Sequence, residues 1–406
     1  MTTSRTLIWR YYAFRTTNSA GFYLPVAIYF LVDNGYGTGF VLFSYAVFSL
    51  ASVAAEIPSG YVGDLVGRRG SLAIGAGLRV VSIGAYPFAV HSVPAILTLH
   101  VLWATGRAFR SGTQDAWLYE VLQARFDESE FARIDGRGST ALLVTSAATA
   151  VAGGLLYTID PAYPFLANAA LAAAGLPILY TFPAVATEVR SDDTLGIREA
   201  AGVLRLQAER PAVRWLVAYA AVFTALFSVT RSLEQPALEA VGVPVAGLGV
   251  LYAAFKLVSA AAAATAGWFQ EHLGARRVFA LLVPAYLLAY GALAVVPALV
   301  IPVLFFNRSR RLVTRPLRNQ YLNDRLANVG RATVLSGAAM ALSTAAALAK
   351  FVVSAAAVGV GPVALLPPVG VALALLGGLL WVGTDPVRSP GGGERSRGPG
   401  APAVSD

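Results

Sequence analysis

Cysteine is absent from the 406 residues, which excludes disulfides and thiolate metal sites. In a chain this apolar the absence says nothing of redox compartment. Lysine is nearly absent too: Lys256 and Lys350 are the two that occur. Neither follows a glycine, so the Gly-Lys step of a phosphate-binding loop is missing, and an ATP-driven pump is excluded with it. His91, His100 and His272 are scattered over different elements and show no metal-ligand spacing. No nucleophile elbow occurs either. The chain offers no catalytic set and no cofactor motif, so it does not read as an enzyme. Charge of either sign is scarce: 13% of residues are charged and 56% are hydrophobic, against about 25% charged in average soluble domains.

What is present is a series of long apolar runs. Ser139 to Tyr157, Ala162 to Val185, Val278 to Pro297 and Pro362 to Val382 are each near the ~20 residues that cross a bilayer as a helix. About twelve such spans can be counted, those near Trp9, Arg107 and Arg308 being interrupted by charge. The first run carries Arg10, Arg15 and Asn18 and no small-residue cleavage pattern, so it is expected to be a retained helix and not a signal peptide.

The formal charge of +9 raises the question of nucleic acid, and its distribution answers it. With the amino terminus inside, the inner connections hold Arg68 and Arg69, then Arg125, Arg133 and Arg137, then Arg190, Arg198, Arg205 and Arg210, then Arg276 and Arg277, then Arg325 and Arg331. The outer connections near Asp33, His91, Asp160, Glu239, Pro297 and Gly361 hold no Lys or Arg. This positive-inside pattern predicts both termini in the cytoplasm and a multi-pass protein of the cell inner membrane. The basic excess is a topology signal directed at anionic lipid, and no nucleic-acid partner is implied.

The spans fall into two groups of six. The expected division is a first bundle over 1–185, a charged cytoplasmic linker over 186–212 with an interfacial helix, a second bundle over 213–384 and a disordered, Gly/Pro-rich cytoplasmic tail over 385–406. One polar loop is used in both groups. Residues Gly60 to Gly70 read G-Y-V-G-D-L-V-G-R-R-G. A weaker copy, G-W-F-Q-E-H-L-G-A-R-R, occupies Gly267 to Arg277. Gly60, Asp64, Gly67 and Arg69 find Gly267, Glu271, Gly274 and Arg276 at one common offset.

The first copy closely resembles the signature loop between the second and third helices of the major facilitator superfamily, and the resemblance covers Trp9 to Val382. E-I-P-S-G at Glu56 to Gly60, S-G-T-Q-D-A-W-L-Y at Ser111 to Tyr119 and R-A-T-V-L-S at Arg331 to Ser336 look like a prokaryotic subgroup of it. The fold so implied is an all-α membrane protein: the facilitator (MFS) fold, with 12 transmembrane helices in two six-helix bundles about a central cavity. The resemblance also implies that the loop clamps the bundles together on the cytoplasmic side when the cavity opens outward. Asp64 and Arg68 match its key acid and base, Arg69 stands where lysine or arginine is usual, and the copy has Ala275 in place of the first arginine, which implies a weaker latch.

The residues themselves leave several roles open. Gly60 allows close helix approach and Gly67 can supply a positive φ. Asp64 either receives N–H groups at a helix N-terminus or pairs with Arg68. Arg107 and Arg110, three residues apart, are expected on one face of the fourth helix. Asp115 is either a proton-coupling group or, like Glu120, a salt-bridge partner of Arg68, Arg110 or Arg125. Arg308, Arg311, Arg315 and Arg318 fall within an ~80° sector of the tenth helix and form one stripe. Arg308 and Arg311 are expected to face the cavity or acidic partners, and Arg315 and Arg318 to snorkel to headgroups. Lys256 and Lys350 lie within spans, as coupling groups, as counter-ions of Glu234, or as anchors for an anionic cargo. Glu56 either titrates during transport or holds Arg79. Arg15, Asn18, Phe22 and Tyr23 of the first helix either line the cavity or pack.

The function these features point to is secondary active transport of a small solute by alternating access. A monomeric, proton-coupled antiporter is expected, with efflux of drug-like or amphiphilic compounds as the leading cargo. The main alternative is an uptake carrier or exchanger for organic anions. A remoter one is a membrane sensor without transport.

Overall fold

The computed structural model describes residues 2–111, 130–182, 209–325 and 331–387, together with 113, 114, 116, 117, 119, 202, 205 and 206. The described residues are helical almost throughout, and no strand occurs among them. Helices run over Thr2–Thr17 (α1), Ala27–Asp33 (α2), Thr38–Gly84 (α3), Val93–Arg110 (α4), Phe131–Ile159 (α5), Tyr163–Tyr180 (α6) and Pro211–Ala240 (α7). They continue over Val245–Ala264 (α8), Ala266–His272 (α9), Gly274–Ala280 (α10), Leu282–Val295 (α11), Val300–Asn323 (α12), Arg331–Ala356 (α13) and Pro362–Thr384 (α14). Most of the linker expected over 186–212 and of the tail expected over 385–406 lies outside the described residues, as do Asp115 and Glu120.

Among the described residues, eight helical segments are long and apolar enough to cross a membrane. One of them, Thr38–Phe88, has 51 residues, far more than one crossing requires. Gly67 divides it with φ 73° and ψ 167°, a turn no L-residue enters readily. Gly274, its equivalent in the second copy, has φ 69° and likewise ends one helix and begins the next. Three legs fall short of the apolar standard for visible reasons. α4 and α12 carry arginines, and the first leg is broken. The chain is a multi-pass membrane protein.

That break corrects the expectation that the first apolar run forms one continuous helix. α1 stops at Thr17 and α2 starts at Ala27. Irregular backbone inside a membrane survives where protein groups satisfy it, and here they come from distant helices. The buried Arg79 of α3 donates through Nη2 to the Ser19 carbonyl. Gln235 of α7, 2% exposed, accepts the Ile28 and Tyr29 N–H groups on Oε1, both at 2.8 Å, and donates through Nε2 to the Leu24 carbonyl at 2.7 Å.

The two halves pack at the end of the molecule that carries the arginine-free connections. α5 lies against α8, where a Cβ on Gly154 would stand 2.8 Å from the Ala246 carbonyl, so only glycine permits the approach. α13 lies against α3, with Phe43 and Phe351 edge to face at 5.6 Å. Among the described residues, every hydrogen bond between the halves is made by Gln235 or Lys350, and none is made at the arginine-rich end.

Each half keeps the same arginine at its arginine-rich end. Arg69 donates to the Tyr180 carbonyl at 2.8 Å, capping α6 and lying over the Tyr180 ring. Arg276 donates to the Val387 carbonyl at 3.4 Å and pairs with Asp385 at 3.1 Å, beyond the end of α14. Tyr180 and Val387 are separated by the same offset as Arg69 and Arg276, so the sequence repeat is also a repeat of contacts. Val387 is buried, and the packed chain therefore extends to it, past the expected start of the tail at 385.

Candidate functional site

Between the halves lies a cavity of about 410 Å³, within the range of small-molecule sites. Tyr45, Phe48, Ser49, Trp103 and Arg107 contribute from the first half, and Phe227, Arg231, Gln235, Arg311 and Lys350 from the second. A second cavity of about 350 Å³ shares Arg107, Thr224, Arg311 and Ser343 with the first. It adds Glu56, Arg310, Arg315 and Arg318, residues nearer the arginine-rich end. The site is thus a path of two chambers, walled by aromatic rings and cations.

Which cations are neutralised decides what the path can bind. Arg308 of α12 makes a forked contact to Glu234, with Nη2 2.7 Å from both carboxylate oxygens and Nε 3.2 Å from Oε2. Arg231 donates to the same carboxylate at 3.1 Å. Glu234 is 3% exposed, and the Arg308 guanidinium lies 4.3 Å from the centre of the Phe255 ring. Such a buried group is held by geometry and full pairing. Arg308 is therefore a structural ion-pair partner that lines neither chamber. The lysines do not neutralise Glu234 either; that falls to Arg231 and Arg308.

Arg107, Arg311, Arg315 and Lys350 have no carboxylate partner among the described residues. Arg311 stacks over Phe227 at 4.4 Å, and Arg107 faces Phe48 at 5.9 Å. Arg310 reaches only neutral acceptors, the Tyr286 hydroxyl at 2.8 Å and the Phe223 carbonyl at 3.1 Å. Glu56 stands on the wall of the second chamber and forms no ion pair among the described residues. The Arg79 considered for it is instead at Ser19 and Asn168, whose amide, oriented to satisfy both, accepts from Arg79 at 3.0 Å and donates to Ser19 at 3.2 Å.

Several residues expected near the cargo serve the first bundle itself. Arg15 donates to Ser139 at 2.8 Å and pairs with Asp135 at 3.5 Å, tying α1 to α5. Asn18 accepts from Arg110 at 3.1 Å, and Tyr23, 2% exposed, packs edge-on against Trp103 at 5.6 Å. None of the three lines either chamber. Arg107 and Arg110 likewise part company: Arg107 faces the path and Arg110 faces α1. Lys256 lies over the Tyr252 ring at 5.4 Å, off the path. In the signature loop Asp64 is exposed, and a Cβ on Gly60 would touch nothing within 4 Å, so the close approach expected at Gly60 is absent in this state. Glu271 and Arg276 of the copy lie at the same arginine-rich end.

Sequence reasoning missed Arg231, Arg310 and Gln235. Arg231 carried a signal, being three residues before Glu234 on one helix. Arg310 lies outside the 3–4–3 stripe, and Gln235 bears no charge.

The model of the Major Facilitator Superfamily matches residues 12–348. The chain belongs to that superfamily. In the facilitator family it is similar to an uncharacterised MFS-type transporter, YxaM, of Bacillus subtilis (strain 168), with 25% identity over 146 residues. That match covers 36% of this chain and 35% of the relative's own length. Among solved structures the nucleoside transporter NupG superposes with a TM-score of 0.77 at 12% identity, over 95% of this chain and 99% of that one. A bacterial homologue of the human lysosomal transporter Spinster, in an inward-facing and occupied conformation, gives 0.66 at 14% identity, over 94% and 96%. At such identities the likeness establishes the facilitator fold. The chain thus has the superfamily's fold, with a path of two chambers between its halves.

Proposed function

We propose that this transporter carries small organic anions with an apolar or aromatic body by alternating access between twelve transmembrane legs. The observation that supports the cargo is the charge of the path. Among the described residues, Arg107, Arg311, Arg315 and Lys350 lack carboxylate partners, and Glu56 is the single acid on the two chamber walls. A cation at bilayer depth costs roughly 2.5–3.5 kcal/mol even on the lenient scale, and an anionic solute offsets that cost where the protein does not. Phe48, Trp103 and Phe227 suit an apolar body beside the charge. These rings also fit the amphiphilic efflux cargo considered above, but a neutral or cationic amphiphile leaves the arginines unmatched.

The arginine-rich end is the cytoplasmic one in this reading, with both termini inside. The state described is then closed outward, with Asp64 exposed and able to clamp when the halves rock the other way. Glu56 is the group we assign to proton coupling, since protonating it removes the one acid that the described residues place on the wall. Arg311→Gln tests the cargo. Deleting one charged hydrogen-bond donor should weaken anion binding by roughly 1.5–3 kcal/mol and leave neutral solutes unaffected. Unchanged anion affinity in a stable Arg311→Gln protein would remove Arg311 from the site.

A further inference from the structure

Lys350 on α13 is 4% exposed, yet it stands on the wall of the larger chamber. Its Nζ donates to the Tyr45 carbonyl at 3.1 Å and to Ser49 Oγ at 2.7 Å, both on α3 of the opposite half. An ammonium has three N–H donors. Two of these end on neutral oxygens, and no protein acceptor among the described residues takes the third. No carboxylate among the described residues balances the charge. A buried cation in this condition is poorly stabilised unless something anionic reaches it. The side chain is at once a receptor for negative charge and one of the two polar ties between the halves among the described residues, Gln235 making the other.

We propose that the anionic group of the cargo binds Lys350 and in doing so loosens the tie to Tyr45 and Ser49, so that occupancy itself unlocks the arginine-free end. This rests on the anion reading above. A carboxylate is a charged acceptor, and hydrogen bonds to it are roughly twice as strong as those to a neutral carbonyl or hydroxyl. It therefore competes for the Nζ donors that hold α13 to α3. A ligand favours the state it binds more tightly, and the state with Lys350 drawn into the chamber is that state. The Gln235 bonds and the Phe43–Phe351 contact remain, so the end loosens without coming apart. An empty carrier keeps its outer end tied, and a loaded one releases it.

The absence of native cysteine makes the test direct. Asn34→Cys and Gly361→Cys place one spin label on each half at the arginine-free end, and label distances are measured in lipid nanodiscs with benzoate, phthalate or succinate, using phthalamide as the neutral control. Anions that bind should lengthen the distances, and phthalamide should not. Lys350→Gln keeps an N–H donor, on a side chain one bond shorter, but no charge. Its anion affinity should fall by about tenfold or more, and the anion-induced lengthening should vanish. Ser49→Ala leaves the charge in place and weakens the tie, so the distances should lengthen before any anion is added. If Lys350→Gln binds and responds like the parent while Arg311→Gln loses the anion, the proposal is overturned and the anion reading stands. If the parent binds none of the three anions, both fall together. If Ser49→Ala leaves the anion-free distances unchanged, Lys350 is no tie.

Discussion

Gln235→Leu removes the other tie between the halves, and the structure sets its size. Three hydrogen bonds disappear: two from the first turn of α2, at Ile28 and Tyr29, and one to the Leu24 carbonyl. A typical hydrogen bond contributes about 1 kcal/mol net, so the upper figure is about 3 kcal/mol. Leu24 and Ile28 border the larger chamber, where water can replace part of what is lost, which brings the lower figure to about 1.5 kcal/mol. The closed arginine-free end should therefore lose roughly 10- to 150-fold in relative population. Ser232 reports on this, being 3% exposed and on the chamber wall. In cells expressing Ser232→Cys, an impermeant maleimide added outside should label the thiol slowly, and adding Gln235→Leu should speed labelling within that range. Leucine is close to glutamine in volume, so the change probes the bonds more than the packing. Equal labelling rates, with parental amounts of protein in the membrane, would refute the reasoning that these bonds hold the end shut.

Glu234→Gln should lower thermal stability in detergent, because breaking a buried pair costs about 3–5 kcal/mol and here leaves two arginines facing each other. An unchanged melting temperature would show that the triad adds nothing. Cysteines at Asn34, Asp160 and Gly361 should react from outside the cell and one at Gly67 should not; the reverse pattern would invert the topology.

The legs of the fold were readable because apolar runs and polar hinges alternate along the chain. Gly67 and Gly274 could be placed because a repeated loop marks a repeated turn. The break after Thr17 was not readable, since the groups that satisfy it, Arg79, Asn168 and Gln235, are far away in sequence and the broken stretch itself stays apolar. The same remoteness hid the fate of the arginine stripe. Spacing placed Arg308 and Arg311 on one helix face, but only packing reveals that Glu234 claims Arg308 and leaves Arg311 on the path. Arg15, Asn18 and Tyr23 line neither chamber, and their partners Asp135, Arg110 and Trp103 are likewise remote in sequence.

Flux into liposomes containing the purified protein bears most directly on the central claim that the uncompensated cations of the path select an anionic cargo. Benzoate, phthalate and succinate are compared with benzamide and with a quaternary ammonium of similar size, with and without an imposed pH gradient. The account predicts protein-dependent movement of at least one of the anions, diminished by Arg311→Gln, and none of the benzamide or the cation. Transport of the ammonium or the amide, with every anion excluded, would contradict it.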